Sequence, residues 1–194
     1  MTKKLKFPQT LAKYLDKAKA KYNILEHKTV YTAHDVAATM NKKLNEVVKT
    51  LLVAVGKDYY LAILPADHNL DFKKLAEQIS KTTGKKIQAV KIPGENAMKK
   101  LLKIKAGAIS AFGGFHKLPV VMEKNLNKIK KAIFASGSFN HSIEMAVKDF
   151  VKLENAVLCG FGIKKKVVLV KKNKINKPPR GRTALGRKNK KAKK

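Results

Sequence analysis

Acidic residues are scarce in this chain: 13 Asp and Glu stand against 44 Lys and Arg, and none follows Glu154. Cysteine is nearly absent, and a lone Cys159 excludes an internal disulfide framework and any cysteine-based zinc cluster. The five histidines show no His-Glu-x-x-His spacing, so no zinc-protease motif is present. No apolar run approaches the ~20 residues that a membrane-spanning helix needs. The start, Met-Thr-Lys-Lys-Leu-Lys-Phe-Pro, carries lysines without the apolar core of a secretion signal. These absences together lead us to expect a soluble cytoplasmic protein, outside the membrane, with no metal and no cofactor.

What is present is positive charge, with enough apolar material to build a core. The hydrophobic content of 44% supports a globular body, and 194 residues suffice for one medium domain plus an appendage. Of the formal net charge of +31, residues 164–194 contribute 15 lysines and arginines with no acid. The other 163 residues hold 29 basic and 13 acidic side chains, so body and tail are both basic. Such a chain binds polyanions through counterion release, largely without regard to sequence. Nucleic acid is the favoured partner and an anionic membrane surface the second.

Apolar spacing predicts a helix within residues 8–22, a short strand Tyr22–Val30, and a helix Ala33–Met40 capped by Thr32 with Asp35 behind it. A short helix Lys43–Val48 should lead into a hairpin of Thr50–Val55 and Tyr59–Pro65. A helix Asp71–Lys81 ending at Gly84, a strand Lys86–Val90 and a helix Glu95–Leu102 follow. Strands are expected at Leu118–Met122, Ala132–Ala135 and Ser142–Ala146, then a helix Val147–Leu153. Val157–Phe161 and Val167–Val170 could form one more hairpin. The fold class is α+β, a mixed, mostly antiparallel, barrel-like sheet core surrounded by helices. We divide the chain into a domain of residues 1–157, a strand or hairpin extension 158–172, and a disordered basic tail 173–194.

Lys49 sits in the apolar, β-prone run Val47-Val48-Lys49-Thr50-Leu51-Leu52-Val53. A lysine there either snorkels from a strand mouth or points into a pocket. Partial burial would lower its pKa and leave it seeking a phosphate, carboxylate or carbonyl oxygen. Two glycine-containing loops offer backbone N–H groups of the kind that hold oxyanions: Gly107-Ala108-Ile109-Ser110-Ala111-Phe112-Gly113 and Ala135-Ser136-Gly137-Ser138. Either loop could equally be an ordinary turn between strands. Ser136 near His141 hints at a nucleophile and base, but no acid is placed to orient the histidine, which argues against a serine hydrolase. On residues alone, His27, His68 and His116 read as surface or turn positions.

Taken in order, these segments resemble the YbaK/ProX family of aminoacyl-tRNA deacylases, relatives of the editing domain inserted in bacterial prolyl-tRNA synthetases. The resemblance covers Tyr22 to Ala156. It rests on Thr32-Ala33-His34-Asp35-Val36-Ala37, Val48-Lys49-Thr50-Leu51-Leu52-Val53, Ile63-Leu64-Pro65-Ala66-Asp67, Asp71-Phe72-Lys73-Lys74-Leu75-Ala76, the Gly107 loop, and Ser136-Gly137 before Ile143-Glu144-Met145. It implies a hydrolase that cleaves the ester of a mischarged tRNA without a protein nucleophile, by attack of a bound water or a substrate group. The resemblance places catalytic roles on Lys49, Gly107 and Ser136. Substrate contacts fall on His27, Thr50, Ala108, Ile109, Ser110, Ala111 and Gly137. Arg180, Arg182, Arg187 and Lys188 of the tail would grip tRNA.

The sequence departs from the family at Ala111, where proline is usual, and at Leu25, where some cysteine-editing members carry tyrosine. Two rivals stand beside the deacylase: a noncatalytic RNA- or ribosome-binding protein that retains the fold, and a domain docked on an aminoacyl-tRNA synthetase through its tail.

Overall fold

The computed structural model describes residues 6–102 and 109–165. Helix α1 (Gln9–Lys17) begins behind Pro8 and buries Leu11 and Leu15, one turn apart on one face. After β1 (Tyr22–Glu26), α2 (Ala33–Thr39) starts where the Thr32 hydroxyl accepts the Asp35 N–H at 3.1 Å. Helix α3 (Phe72–Thr83) is capped by Asp71, which accepts from the N–H groups of Lys73 and Lys74. It stops at Gly84 in the left-handed conformation.

The anticipated helix Lys43–Val48 is a turn instead. Lys43 donates its N–H to the Glu46 carboxylate at 3.0 Å, and Glu46 returns its own N–H to the Lys43 carbonyl at 2.9 Å. The β-branched Val48 already belongs to strand β2 (Val48–Val55), opposite Pro65 of β3 (Asp58–Pro65). The expected strand Lys86–Val90 shortens to β5 (Val90–Lys91), because Ile87 donates its N–H to the Ser80 hydroxyl and lies against α3.

The remaining elements are β4 (His68–Leu70), α4 (Glu95–Leu102), α5 (Gly113–His116), β6 (Val120–Glu123), a 3-10 turn (Lys124–Lys128), β7 (Lys131–Ala135), β8 (His141–Ala146), α6 (Val147–Glu154), β9 (Val157–Cys159) and β10 (Gly162–Lys164). Five strands form a mixed sheet in the order β5-β2-β3-β6-β9, antiparallel through β3 and parallel beyond it. A three-stranded antiparallel sheet runs β1-β8-β7, and β10 pairs with β4. This is the mixed α+β architecture that the sequence predicts. Of the expected final hairpin, the first strand is present as β9, and its partner at residues 167–170 lies outside the described residues. β9 extends the large sheet beside β6, and β10 turns to β4.

Strand β2 is covered on both faces, which is why its sequence reads as one apolar run. Val48 and Leu52 join the main core with α1, β8 and Phe150; Val53 and Val55 join a second core beneath α3. Among the described residues one isolated parallel bridge, Val47 with Ile133, joins the edges of the two larger sheets, reinforced by the Ile133 N–H on the Glu46 carbonyl at 2.8 Å. Among the described residues no helix is long and apolar enough to cross a membrane.

Candidate functional site

The seam between the two sheets leaves a gap. β5 meets β2 only at Ala54 and Val55, and β7 reaches it only at the Val47 bridge. Over Val48–Val53 the edge of β2 therefore borders open space among the described residues. A strand edge presents unpaired N–H and C=O groups. A cavity of about 370 Å³ occupies this place, walled largely by aliphatic side chains of β2, α2 and β7. Its size and its few polar groups suit a small ligand.

Lys49 lines this cavity, half-buried at the start of β2. Its ammonium donates to the His68 carbonyl at 2.7 Å. Burial, and then the nearby charge of Lys165, hold its pKa below the ordinary 10.5. The ammonium has further N–H bonds to offer beside this one. Thr50 also lines the cavity, and its hydroxyl is buried without a partner. An unsatisfied hydroxyl in a cavity wall is costly unless a ligand or water engages it.

His27 is not an ordinary surface residue. Its Nδ1 lies 2.8 Å from the Lys28 carbonyl oxygen, which only accepts, so Nδ1 carries the hydrogen. In the neutral ring Nε2 then accepts from the Ser142 hydroxyl, 2.9 Å away. Both residues line the cavity. The antiparallel pairing of β1 with β8 brings them together, since Leu25 faces Ser142 across the ladder and His27 donates its N–H to Asn140. That long-range pairing was the only signal for Ser142, and the sequence alone does not expose it.

Ile109 also lines the cavity, whereas Gly107 and Ala108 lie outside the described residues. Ser110, Ala111, Ser136 and Gly137 do not line it; they buttress its walls from behind. Ser110 accepts the Phe112 N–H at 3.3 Å. Ala111 points into the main core and donates its N–H to Ala135 at 3.0 Å. A proline at 111 could not make that bond. The Ser136 hydroxyl donates to the His141 carbonyl at 2.6 Å and accepts the Ser138 N–H at 3.3 Å. It therefore holds the turn through Gly137, whose φ of 87° no larger residue adopts easily.

The Ser136 hydroxyl thus meets the His141 carbonyl and not its ring, whose Nδ1 lies 2.8 Å from the Asn140 amide oxygen, so Ser136 and His141 are not a nucleophile–base pair. Ser138, Tyr31 and Phe139 join the lining unannounced by any motif. Arg180, Arg182, Arg187 and Lys188 lie outside the described residues. Among the described residues no three His, Cys, Asp or Glu side chains gather as metal ligands.

The family model of the aminoacyl-tRNA editing domain matches residues 27–153. The chain is 30% identical over 124 residues to the prolyl-tRNA editing protein ProX of Acetoanaerobium sticklandii, covering 61% of this chain and 72% of that protein. The fold is similar to a solved structure described as a candidate trans-editing enzyme for prolyl tRNA synthetase. That match has a TM-score of 0.66 at 17% identity and covers 81% of this chain and 96% of that one. The crystal structure of a hypothetical protein matches with TM-score 0.68 at 19% identity, over 79% and 99% of the two chains. At these identities the structural matches speak for the fold alone.

Proposed function

The chain belongs to the aminoacyl-tRNA editing domain family, and from that membership we propose that the cavity on the free edge of β2 hydrolyses the ester of a mischarged tRNA. The observation that carries the reading is the meeting of a cation and an unsatisfied hydroxyl in one apolar cavity. Lys49 and the orphan Thr50 oxygen share that wall with the His27–Ser142 pair. The aminoacyl ester enters with its side chain against the aliphatic walls. Lys49 holds the ester carbonyl, whose oxygen gains negative charge as the tetrahedral intermediate forms. Thr50 meets a polar group of the amino acid or its ribose. A water, oriented by the cavity or by a hydroxyl of the substrate, attacks the carbonyl carbon; the bond from that carbon to the ribose oxygen breaks, the ribose oxygen takes up the proton the water gives up, and the free amino acid leaves.

The geometry supports the positioning roles we assign. Ser136 holds the turn that presents Ser138 and Phe139, and Ser110 and Ala111 back the wall that carries Ile109. Gly107 and Ala108 complete that loop on the resemblance to the family. The substrate is a tRNA bearing an amino acid that its synthetase attached wrongly. By analogy with the relative's name we assign a tRNA for proline carrying a different small residue, with prolyl-tRNA synthetase as a partner that hands over the product. The basic body and the tail residues Arg180, Arg182, Arg187 and Lys188 supply sequence-independent affinity for tRNA.

A direct test is to incubate the protein with tRNAs mischarged with several amino acids and to measure amino-acid release. A noncatalytic RNA-binding protein would leave every one intact. Lys49→Ala separates the readings further: a deacylase loses hydrolysis and keeps tRNA binding. Deleting residues 173–194 tests the tail, and an unchanged salt dependence of tRNA affinity would remove it from the binding account.

A further inference from the structure

Tyr31 is 68% exposed, more than any other large apolar side chain among the described residues. It belongs to none of the three buried clusters. Its ring nevertheless lies against Phe139, with centroids 5.0 Å apart and planes tilted by 55°. The pair is held from both sides. The Val30 N–H donates to the Phe139 carbonyl at 2.9 Å, which ties the two segments together. Thr32, next in the chain, is fixed as the cap of α2, while Phe139 sits in the turn that Ser136 anchors. Tyr31 and Phe139 line the same cavity as Lys49. A fixed aromatic face open at a cavity mouth offers a flat surface on which a planar group can stack.

We infer that Tyr31, backed by Phe139, is a stacking platform for the terminal adenine base of the tRNA. The inference rests on the proposed reading of the cavity. The ester to be cleaved joins the amino acid to the ribose of the terminal adenosine. With the carbonyl at Lys49, the base on that same ribose leaves the cavity at its rim, where Tyr31 and Phe139 stand. A base brings a π-face without charge, and stacking on an aromatic side chain needs no matching donors or acceptors. The platform therefore serves any tRNA, leaving the walls around Lys49 to read the amino acid.

The test uses an uncharged tRNA with fluorescent 2-aminopurine in place of the terminal adenine, titrated with the full-length protein at several salt concentrations. Wild type and Tyr31→Phe quench the fluorophore and bind alike. Tyr31→Leu, which keeps apolar bulk without a ring, and Tyr31→Ala lose the quench and bind roughly 5- to 150-fold more weakly, the range for removal of one base–aromatic stack. In deacylation of a mischarged tRNA the same two variants raise KM by a similar factor with kcat largely kept.

Thermal melts show whether each variant is folded, which the exposure of Tyr31 predicts. No quench with wild type, or a Tyr31→Leu protein equal to wild type, overturns the platform. Quenching needs no hydrolysis, so quenching of the uncharged tRNA with no cleavage of any mischarged one sinks the deacylase reading and leaves the platform standing. A cleaved tRNA indifferent to Tyr31 does the reverse.

Discussion

Replacing Lys49 by alanine removes the one cation that lines the cavity among its described residues. In the free protein the ammonium donates a hydrogen bond to the His68 carbonyl at 2.7 Å. That carbonyl belongs to His68, which is only 8% exposed, so leaving it without its donor costs the fold about 1–3 kcal/mol. The effect on the reaction is separate. One charge-assisted hydrogen bond to the substrate is worth about 1.5–3 kcal/mol, which is roughly 10- to 150-fold in kcat/KM. If the bond tightens as the carbonyl oxygen gains charge, the loss falls on kcat and reaches about 100-fold or more. The assay is single-turnover release of labelled amino acid from mischarged tRNA, with tRNA affinity measured in parallel on the same preparations. A loss below about threefold, against that expected range, refutes the argument. So does an equal loss of affinity and turnover, which would make Lys49 one phosphate contact among many.

Further outcomes follow from neighbouring residues. Because burial and then Lys165 hold the Lys49 pKa below 10.5, enzymatic activity declines on the alkaline side before a free lysine would titrate. Lys165→Ala moves that limb to higher pH, and an unmoved limb in rates corrected for spontaneous hydrolysis shows that Lys49 does not set it. Ala111→Pro restores the family residue but removes the N–H that Ala135 accepts. It costs about 1–3 kcal/mol, roughly 2–10 °C in Tm, and an unchanged or raised Tm contradicts this.

The Glu154 carboxylate is buried, accepting from the Gly114 N–H at 2.7 Å and the Tyr14 hydroxyl at 3.0 Å. Burial nonetheless outweighs these bonds and raises its pKa above 4.5. A raised folded-state value means that its stabilising contribution is complete below pH 4.5 and is lost as pH rises through the raised value. Glu154→Gln should therefore gain on wild type in Tm as pH climbs from 4.5 towards neutrality. Parallel Tm curves would show that Glu154 does not titrate as described.

Local signals were legible wherever one short segment carried them. Thr32 and Asp71 cap their helices through their own side chains, Gly84 ends α3 in the left-handed region, and the β2–β3 hairpin follows two apolar, β-prone runs and the turn between them. Lys49 stood out because β2 is covered on both faces, which makes a lysine conspicuous against valine and leucine. Signals that depend on long-range pairing were not legible. The turn at Lys43–Val48 was read as a helix because nothing local announces that Val48 pairs with Pro65. His27 gains its place only when β1 lies beside β8 and brings Ser142 to its ring.

Ser136 shows the opposite error of distance. Five residues from His141 in sequence, its hydroxyl meets that residue's carbonyl rather than its ring. Tyr31 and Phe139 carry no motif, and their exposure becomes visible only in three dimensions.

The central claim is that this cavity hydrolyses mischarged tRNA. The most direct measurement is amino-acid release from a tRNA for proline charged with alanine and, separately, with proline, by the full-length protein in excess over tRNA. The account predicts that the mischarged ester is cleaved well above its spontaneous rate, that the correct one is spared, and that Lys49→Ala abolishes most of the difference. If neither this ester nor any in a panel of mischarged tRNAs of verified quality is cleaved, the account is contradicted.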